Sequence, residues 1–273
     1  MQASSHWTPP EGTLGTIVQE AEARAARLER QRATLERAAA TAPPGASLER
    51  SLRTSSVGVL AEVKRRSPSK GAIDTSLDAL AQASAYAAGG AAAVSILTEP
   101  AHFGGSVDDL KQVRAALTIP VLKKDFHVHP IQLLEARALG ASAALLIVRA
   151  LEPSRLEELV TYGRSIGVEL LLEVRDEVEL ALALATGATM IGVNNRNLES
   201  LAVDAGTAER LIPLIPATVV AIAESGLRSR ADVERYGACG ADAVLVGSAL
   251  SASSAPADAV RALTGVVRRG RGG

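Results

Sequence analysis

From Val57 onward the chain alternates between short apolar runs and stretches in which apolar residues recur every three to four positions among charged ones. The runs are VGVLAEV, AAAVSILT, IPVLKKDF, AALLIV, ELLLEV, MIGVNN, TVVAIAES and AVLVGSAL. Runs of this length, bounded by Gly, Pro and polar residues, predict buried strands, and intervening segments such as PSRLEELVTYGRSIG and RSRADVERYGACG have the charged face of an outer helix. A spacing of roughly 20–35 residues between runs is the rhythm of βα units closing into a (β/α)8 TIM barrel. An open doubly wound sheet is the alternative. The barrel is favoured by the number of units, and because polar residues gather at the C-terminal end of nearly every run, as they do when all those ends share one mouth. Residues 57–267 are therefore assigned to the barrel. Before it, Leu14, Ile17, Val18, Ala21, Ala25 and Leu28 recur at helical spacing and predict an amphipathic helix that stops by TAPPG, within an N-terminal helical extension over 1–56. The last residues, RRGRGG at 268–273, read as a flexible basic tail.

Alternate residues of a strand face opposite sides, so each run divides into an inner and an outer set. In the first run Gly58, Leu60, Glu62 and Lys64 share a face, and Val59, Ala61 and Val63 form an all-apolar face suited to packing on helices. In IPVLKKDF, Leu122, Lys124 and Phe126 lie together, which turns Lys123 and Asp125 away from the interior. Glu173 shares parity with Leu171, and Asn194 with Gly192 and Arg196. Two lysines, two glutamates and an Asn/Arg pair are thus expected in one space. A ring of ion pairs sealing the barrel end would use the same residue types. Buried charge is costly unless well paired, however, so several charges at strand ends suggest a site where charge is used. A low-dielectric mouth is expected to lower a lysine's pKa and raise a glutamate's, bringing both toward neutrality for proton transfer.

A phosphate site is indicated by three loops: Ser67-Pro68-Ser69-Lys70-Gly71 after the first strand, Glu224-Ser225-Gly226 after the seventh, and Gly247-Ser248 after the eighth. Barrels that bind phosphate often do so after strands seven and eight, through backbone N–H groups, hydroxyls and a helix N-terminus. Arg65, Arg66 and Lys70 read as a solvated loop face that could help close on a phosphate. The chain has few aromatic residues, and both phenylalanines, Phe103 and Phe126, fall near the mouth, whereas Tyr86, Tyr162 and Tyr236 lie on helical stretches. A flat apolar substrate part is suggested, with plugging of the barrel top as the other reading. His127 and His129 form an H-x-H without a convincing partner set, so no metal is expected. Cys239 reads as a packing residue.

Composition narrows the class. With 47% hydrophobic residues the chain can bury a sizeable core, and a formal net charge of −1 offers no general field for nucleic acid or an anionic membrane. No stretch approaches the roughly 20 apolar residues of a membrane-spanning helix. A single cysteine and no secretory apolar stretch make the cytoplasm the expected compartment. At 273 residues there is no room for a second fused barrel.

The ordered set AEVKRRSPSKG, SILTEPAHFGGS, LKKDF, LLIV, LLEV, IGVNNRNL, AESG and VLVGSAL resembles the indole-3-glycerol phosphate synthase family over about residues 14 to 267. The resemblance implies extra N-terminal helices covering the barrel top. It also implies cyclisation of 1-(o-carboxyphenylamino)-1-deoxyribulose 5-phosphate to indole-3-glycerol phosphate, with loss of CO2 and water and without a cofactor. By the same resemblance Lys124 is the general acid at the substrate carbonyl and Glu173 serves proton transfer in the dehydration. Lys64 either positions phosphate and hydroxyls or expels water, with Glu62 orienting the lysines. Ser67, Ser225, Gly226, Gly247 and Ser248 would hold the phosphate, Phe103 and Phe126 the anthranilate ring, and Asn194, Arg196 and Glu224 further substrate groups. Lys123 stands where the family commonly has Arg. The expected partner is this phosphorylated small molecule, with no nucleic acid or membrane, in a monomer or weak homo-oligomer. Phosphoribosylanthranilate isomerase is the nearest enzymatic rival and would need a Cys/Asp acid–base pair at the mouth, for which Cys239 is misplaced. A catalytically silent barrel that binds a phosphorylated metabolite or a partner protein is the non-enzymatic alternative.

Overall fold

The computed structural model describes residues 7–271. Every apolar run contains one strand of a closed parallel barrel: β1 (Gly58–Val63), β2 (Ala93–Leu97), β3 (Val121–Lys124), β4 (Ala143–Ile147), β5 (Glu169–Val174), β6 (Met190–Asn194), β7 (Val220–Glu224) and β8 (Ala243–Val246). Neighbours in the ring are neighbours in sequence, and β8 closes on β1 with Gly58 beside Ala243 and Ala61 beside Val246. Nearly all strand residues are buried because the inner face fills the barrel and the outer face packs on helices.

Helices α1 (Gly12–Glu29), α2 (Arg32–Thr41) and α3 (Leu48–Leu52) precede the barrel. Around it run α4 (Ala79–Ala88), α5 (Pro100–Phe103), α6 (Val107–Ala116), α7 (Pro130–Ala138), α8 (Pro153–Ser165), α9 (Glu177–Ala185), α10 (Gly206–Leu211), α11 (Arg230–Ala238), α12 (Ser248–Ser251) and α13 (Pro256–Leu263). Several start where a side chain caps the first turn: Asp78, Ser106, Asp176 and Ser229 each accept a backbone N–H there. No helix among the described residues is long and apolar enough to cross a membrane.

The structure departs from the sequence reading at both ends. The single N-terminal helix is two helices, broken where Gln31 leaves the helical region at φ −106° and ψ 7° and Arg32 turns back onto Glu29 at 2.6 and 2.9 Å. Nothing in LERQRATLER disfavours helix. The break lets Ala39 of α2 join Ala25 of α1 against Ile131 and Leu134 of α7, a packing gain that overrides local propensity. At the other end, residues 268–271 of the expected flexible tail are docked. Arg271 pairs with buried Asp242 at 2.8 Å and donates to Ile215 O at 3.1 Å, while Arg268 also pairs with Asp242. Gly272 and Gly273 lie outside the described residues.

Candidate active site

A cavity of about 260 Å3 opens at the C-terminal ends of the strands. All the candidate residues line it: Glu62, Lys64, Ser67, Phe103, Lys124, Phe126, Glu173, Asn194, Arg196, Glu224, Ser225, Gly226, Gly247 and Ser248. Thr13, Leu14 and Ile17 of α1 contribute to the same wall.

Register explains the convergence. Glu173 stands beside Gly192, and Asn194 beside Glu224, so these inward residues lie at similar height on β5, β6 and β7. Lys124 reaches in from β3 and donates to Glu173 Oε2 at 2.9 Å and to Glu224 Oε2 at 2.7 Å. Asn194 Nδ2 donates to the other Glu173 oxygen at 2.8 Å. Glycine at 192 leaves the Glu224 carboxyl its place, because a Cβ would fall 2.0 Å from Glu224 Oε1 and force it to shift. That oxygen is buried and finds no hydrogen-bond partner among the described residues.

The charges sort themselves by environment. Burial pulls the Lys124 ammonium down, but Glu173, Glu224 and Glu62 together outweigh it and push its pKa well above the ordinary lysine value. This reverses the sequence expectation for the lysine, which considered burial without the three carboxylates. Burial also raises Glu224, and with Glu173 nearby its carboxyl is pushed up to about 8 despite Lys124. Glu173 resists the same burial because Lys124 and Asn194 hold its charge, and its pKa falls. Their environments push the two carboxyl pKa values apart, Glu224 upward and Glu173 downward, the pattern of a paired acid and base.

On β1 the Lys64 ammonium meets Glu62 at 2.5 Å, and Ser95 Oγ donates to the second Glu62 oxygen at 3.3 Å. A Cβ on Gly247 would stand 2.6 Å from Glu62 Oε1 and 3.1 Å from Lys64 Nζ, which places this pair directly against the loop after β8. Ser67 Oγ is buried without a partner among the described residues. Ser225 adopts φ 66° and Gly226 φ 85°, a left-handed turn that costs a non-glycine residue about 1–3 kcal/mol and marks the loop as shaped for more than connection. Lys70 and Arg228 also face the cavity. Burial, followed by the positive charges of Arg228, Lys64 and Arg196, lowers the Lys70 pKa, so cations crowd this end of the cavity. Sequence reasoning missed Arg228, although it follows AESGL directly and its position was the available signal.

The two phenylalanines pair with ring centroids 6.0 Å apart at 37°. Phe126 is buried and Phe103 half-buried, forming an apolar wall of the cavity that packs beside the Arg66–Ser67 stretch. Lys123 does face away from the interior, but it is fully buried, pairing with Asp125 at 3.2 Å and with Glu135 of α7 at 3.1 Å. His127 Nδ1–H donates to Leu145 O at 2.7 Å, and burial lowers its pKa to about 3. His129 caps α7, accepting from Ile131 N.

Comparison with known proteins bears on the family. A family model described as indole-3-glycerol phosphate synthase matches residues 14–263. The chain is 54% identical over 191 residues to the indole-3-glycerol phosphate synthase of Parafrankia sp. (strain EAN1pec), covering 70% of this chain and 71% of the relative. It is 49% identical over 235 residues to the enzyme of that name from Mycolicibacterium gilvum (strain PYR-GCK), covering 86% and 82%. Among solved structures, thiamine phosphate pyrophosphorylase from Pyrococcus furiosus shares the fold, with a TM-score of 0.58 and 14% identity over 80% of this chain and 96% of that one.

Proposed function

The chain belongs to the indole-3-glycerol phosphate synthase family, carboxy-lyases of tryptophan biosynthesis, and from that premise we propose how its side chains divide the reaction. The reaction joins the ring carbon that bears the carboxylate to the ketone carbon of 1-(o-carboxyphenylamino)-1-deoxyribulose 5-phosphate, then releases CO2 and water to give indole-3-glycerol phosphate. The observation that carries the proposal is Lys124 held between Glu173 and Glu224 at 2.9 and 2.7 Å.

Lys124 is the acid of ring closure. As the ring carbon attacks the ketone, the oxygen becomes an alkoxide, a stronger base than an amine, and takes a proton from the ammonium that the surrounding carboxylates keep charged. The bond to CO2 then breaks, and its electron pair restores the aromatic ring. The hydroxyl at the former ketone carbon takes a second proton, from protonated Glu224, and leaves as water, while the neighbouring CH2 loses a proton to ionised Glu173, which Asn194 orients, completing the indole double bond. Glu224 keeps its proton near neutrality, so two carboxyls can share one lysine without two full negative charges.

Lys64 is assigned to anchoring, because its ammonium lies against the Gly247 loop. Glu62 fixes it there. Together with Ser67, Ser225, Gly226 and Ser248, it holds the phosphate, while Phe103 and Phe126 receive the anthranilate ring. Arg196 has no carboxylate partner among the described residues and meets an anionic group of the substrate. Measuring indole fluorescence as substrate turns over tests the scheme. Glu173→Gln should lower kcat by about 10²–10⁴ in protein that remains folded, whereas normal turnover would refute the role of Glu173.

A further inference from the structure

Phe103 and Phe126 come from different loops, and their mutual placement needs something to hold the loops together. Phe103 ends α5, a single short turn whose first three N–H groups, from Ala101, His102 and Phe103, all donate to the Glu99 carboxylate at 2.7–3.0 Å. Phe126 follows Asp125, and the Phe126 N–H donates to Asp125 Oδ1 at 2.8 Å. Each aromatic residue is therefore steered by one buried carboxylate. Thr98 Oγ1 donates to Asp125 Oδ2 at 2.6 Å, and Lys123 pairs with the same oxygen at 3.2 Å.

The only side chain seen among the described residues to touch both carboxylates comes from neither loop. Arg24 of α1 places Nη2 3.0 Å from Asp125 Oδ1 and Nη1 3.5 Å from Glu99 Oε1. Glu20, one turn earlier on α1, meets His102 Nε2 at 2.9 Å, so the same helix face holds α5 twice. A planar guanidinium with its donors in a fixed fork suits two carboxylates at a set separation, which a lysine's point charge does not.

We propose that Arg24 is a positioning residue for the aromatic slot: by clamping Glu99 and Asp125 it sets the separation of Phe103 and Phe126, and hence the fit of the substrate's aryl group. This rests on the reading of the cavity as the site for an N-aryl amino sugar phosphate. The N-terminal helix then acts on substrate recognition through one side chain, beyond covering the mouth.

The test compares ligands that use different parts of the cavity in Arg24→Gln, Arg24→Lys and the exposed control Arg27→Gln. KM for the full substrate and inhibition by anthranilate should each weaken about tenfold in Arg24→Gln, with inhibition by inorganic phosphate held within about twofold. Arg24→Lys should fall between Arg24→Gln and the wild type, because it keeps the charge and loses the fork, and Arg27→Gln should match the wild type. Equal weakening of anthranilate and phosphate, or no weakening of either, overturns the proposal, since a helix that merely stabilises the barrel loosens both parts alike. If Arg24→Gln does not fold, Arg24→Lys carries the same comparison. Absence of turnover in the wild-type protein would instead count against the reading of the site.

Discussion

Lys124 and Glu224 stand on β3 and β7, four places apart in a ring of eight strands, and their side chains meet at 2.7 Å across the barrel mouth. Gly192 leaves room for Glu224 Oε1 beside this contact, and burial with Glu173 nearby raises the Glu224 pKa. The proposed acid–base cluster also ties strands of the mouth together, and titration of Glu224 should be visible in both stability and activity.

The first expectation concerns pH. Glu224 holds its proton up to about 8 in the folded protein against an ordinary value of 4.5. The folded protein binds more protons than the unfolded chain between those values. Its contribution to stability is complete below 4.5 and is lost as pH rises toward 8, a change of order several kcal/mol. Urea midpoints measured across this range should fall with pH in the wild type. They should fall less steeply in Glu224→Gln, which keeps the shape of the protonated acid. Parallel profiles would show that Glu224 titrates normally.

A methyl group at position 192 should harm catalysis without unfolding the barrel. The new Cβ of Gly192→Ala would lie 2.0 Å from Glu224 Oε1, and the carboxyl must move while Lys124 and Glu173 hold its far side. Displacing a catalytic constellation by about an ångström costs roughly 10²-fold in rate. Steady-state kinetics should show a loss of that size in kcat/KM with a melting temperature near the wild-type one. Unchanged kinetics would mean that the carboxyl position does not matter.

Gly247→Ala tests the anchoring end separately. The residue has φ −114°, so alanine brings no backbone strain, and its whole effect is the collision with Glu62 Oε1 and Lys64 Nζ. Competitive inhibition by inorganic phosphate should weaken about tenfold, with kcat far less affected than KM. A fall in kcat alone would move Lys64 from anchoring to proton transfer.

The C-terminal segment offers a stability test remote from the chemistry. Arg271 sits beside Asp242, which precedes β8 at the end of the barrel opposite the mouth. Arg271→Ala should destabilise the protein by about 1–3 kcal/mol, because buried acceptors and part of a buried ion pair are left without their donor. Its kcat and KM should stay at wild-type values.

Much of this was legible along the chain, for a definite reason. Strand parity is a local property with period two, so Lys124, Glu173 and Asn194 could be assigned to one face from their own neighbours. The phosphate-type loops follow their strands immediately, and Gly and Ser are local signals as well. What escaped depends on partners distant in sequence. Lys123, Asp125 and His127 alternate on the outer face as regularly as the inner set, yet their burial comes from α1 and α7. Arg271 could not be seen as docked without Asp242, and the α1–α2 break exists for contacts with Ile131 and Leu134. The direction of the Lys124 pKa depends on three carboxylates brought from other strands, information that burial alone does not contain.

The most direct test of the central claim is a single-turnover measurement of indole fluorescence with enzyme in excess, comparing the wild type with Lys124→Ala and Lys64→Ala. The wild type should form indole in one rapid phase. Lys124→Ala should bind substrate and form indole about 10²–10⁴-fold more slowly at every substrate concentration, whereas Lys64→Ala should recover much of its rate as substrate is raised. Indole formation by Lys124→Ala at the wild-type rate would contradict the assignment of this lysine as the acid of ring closure.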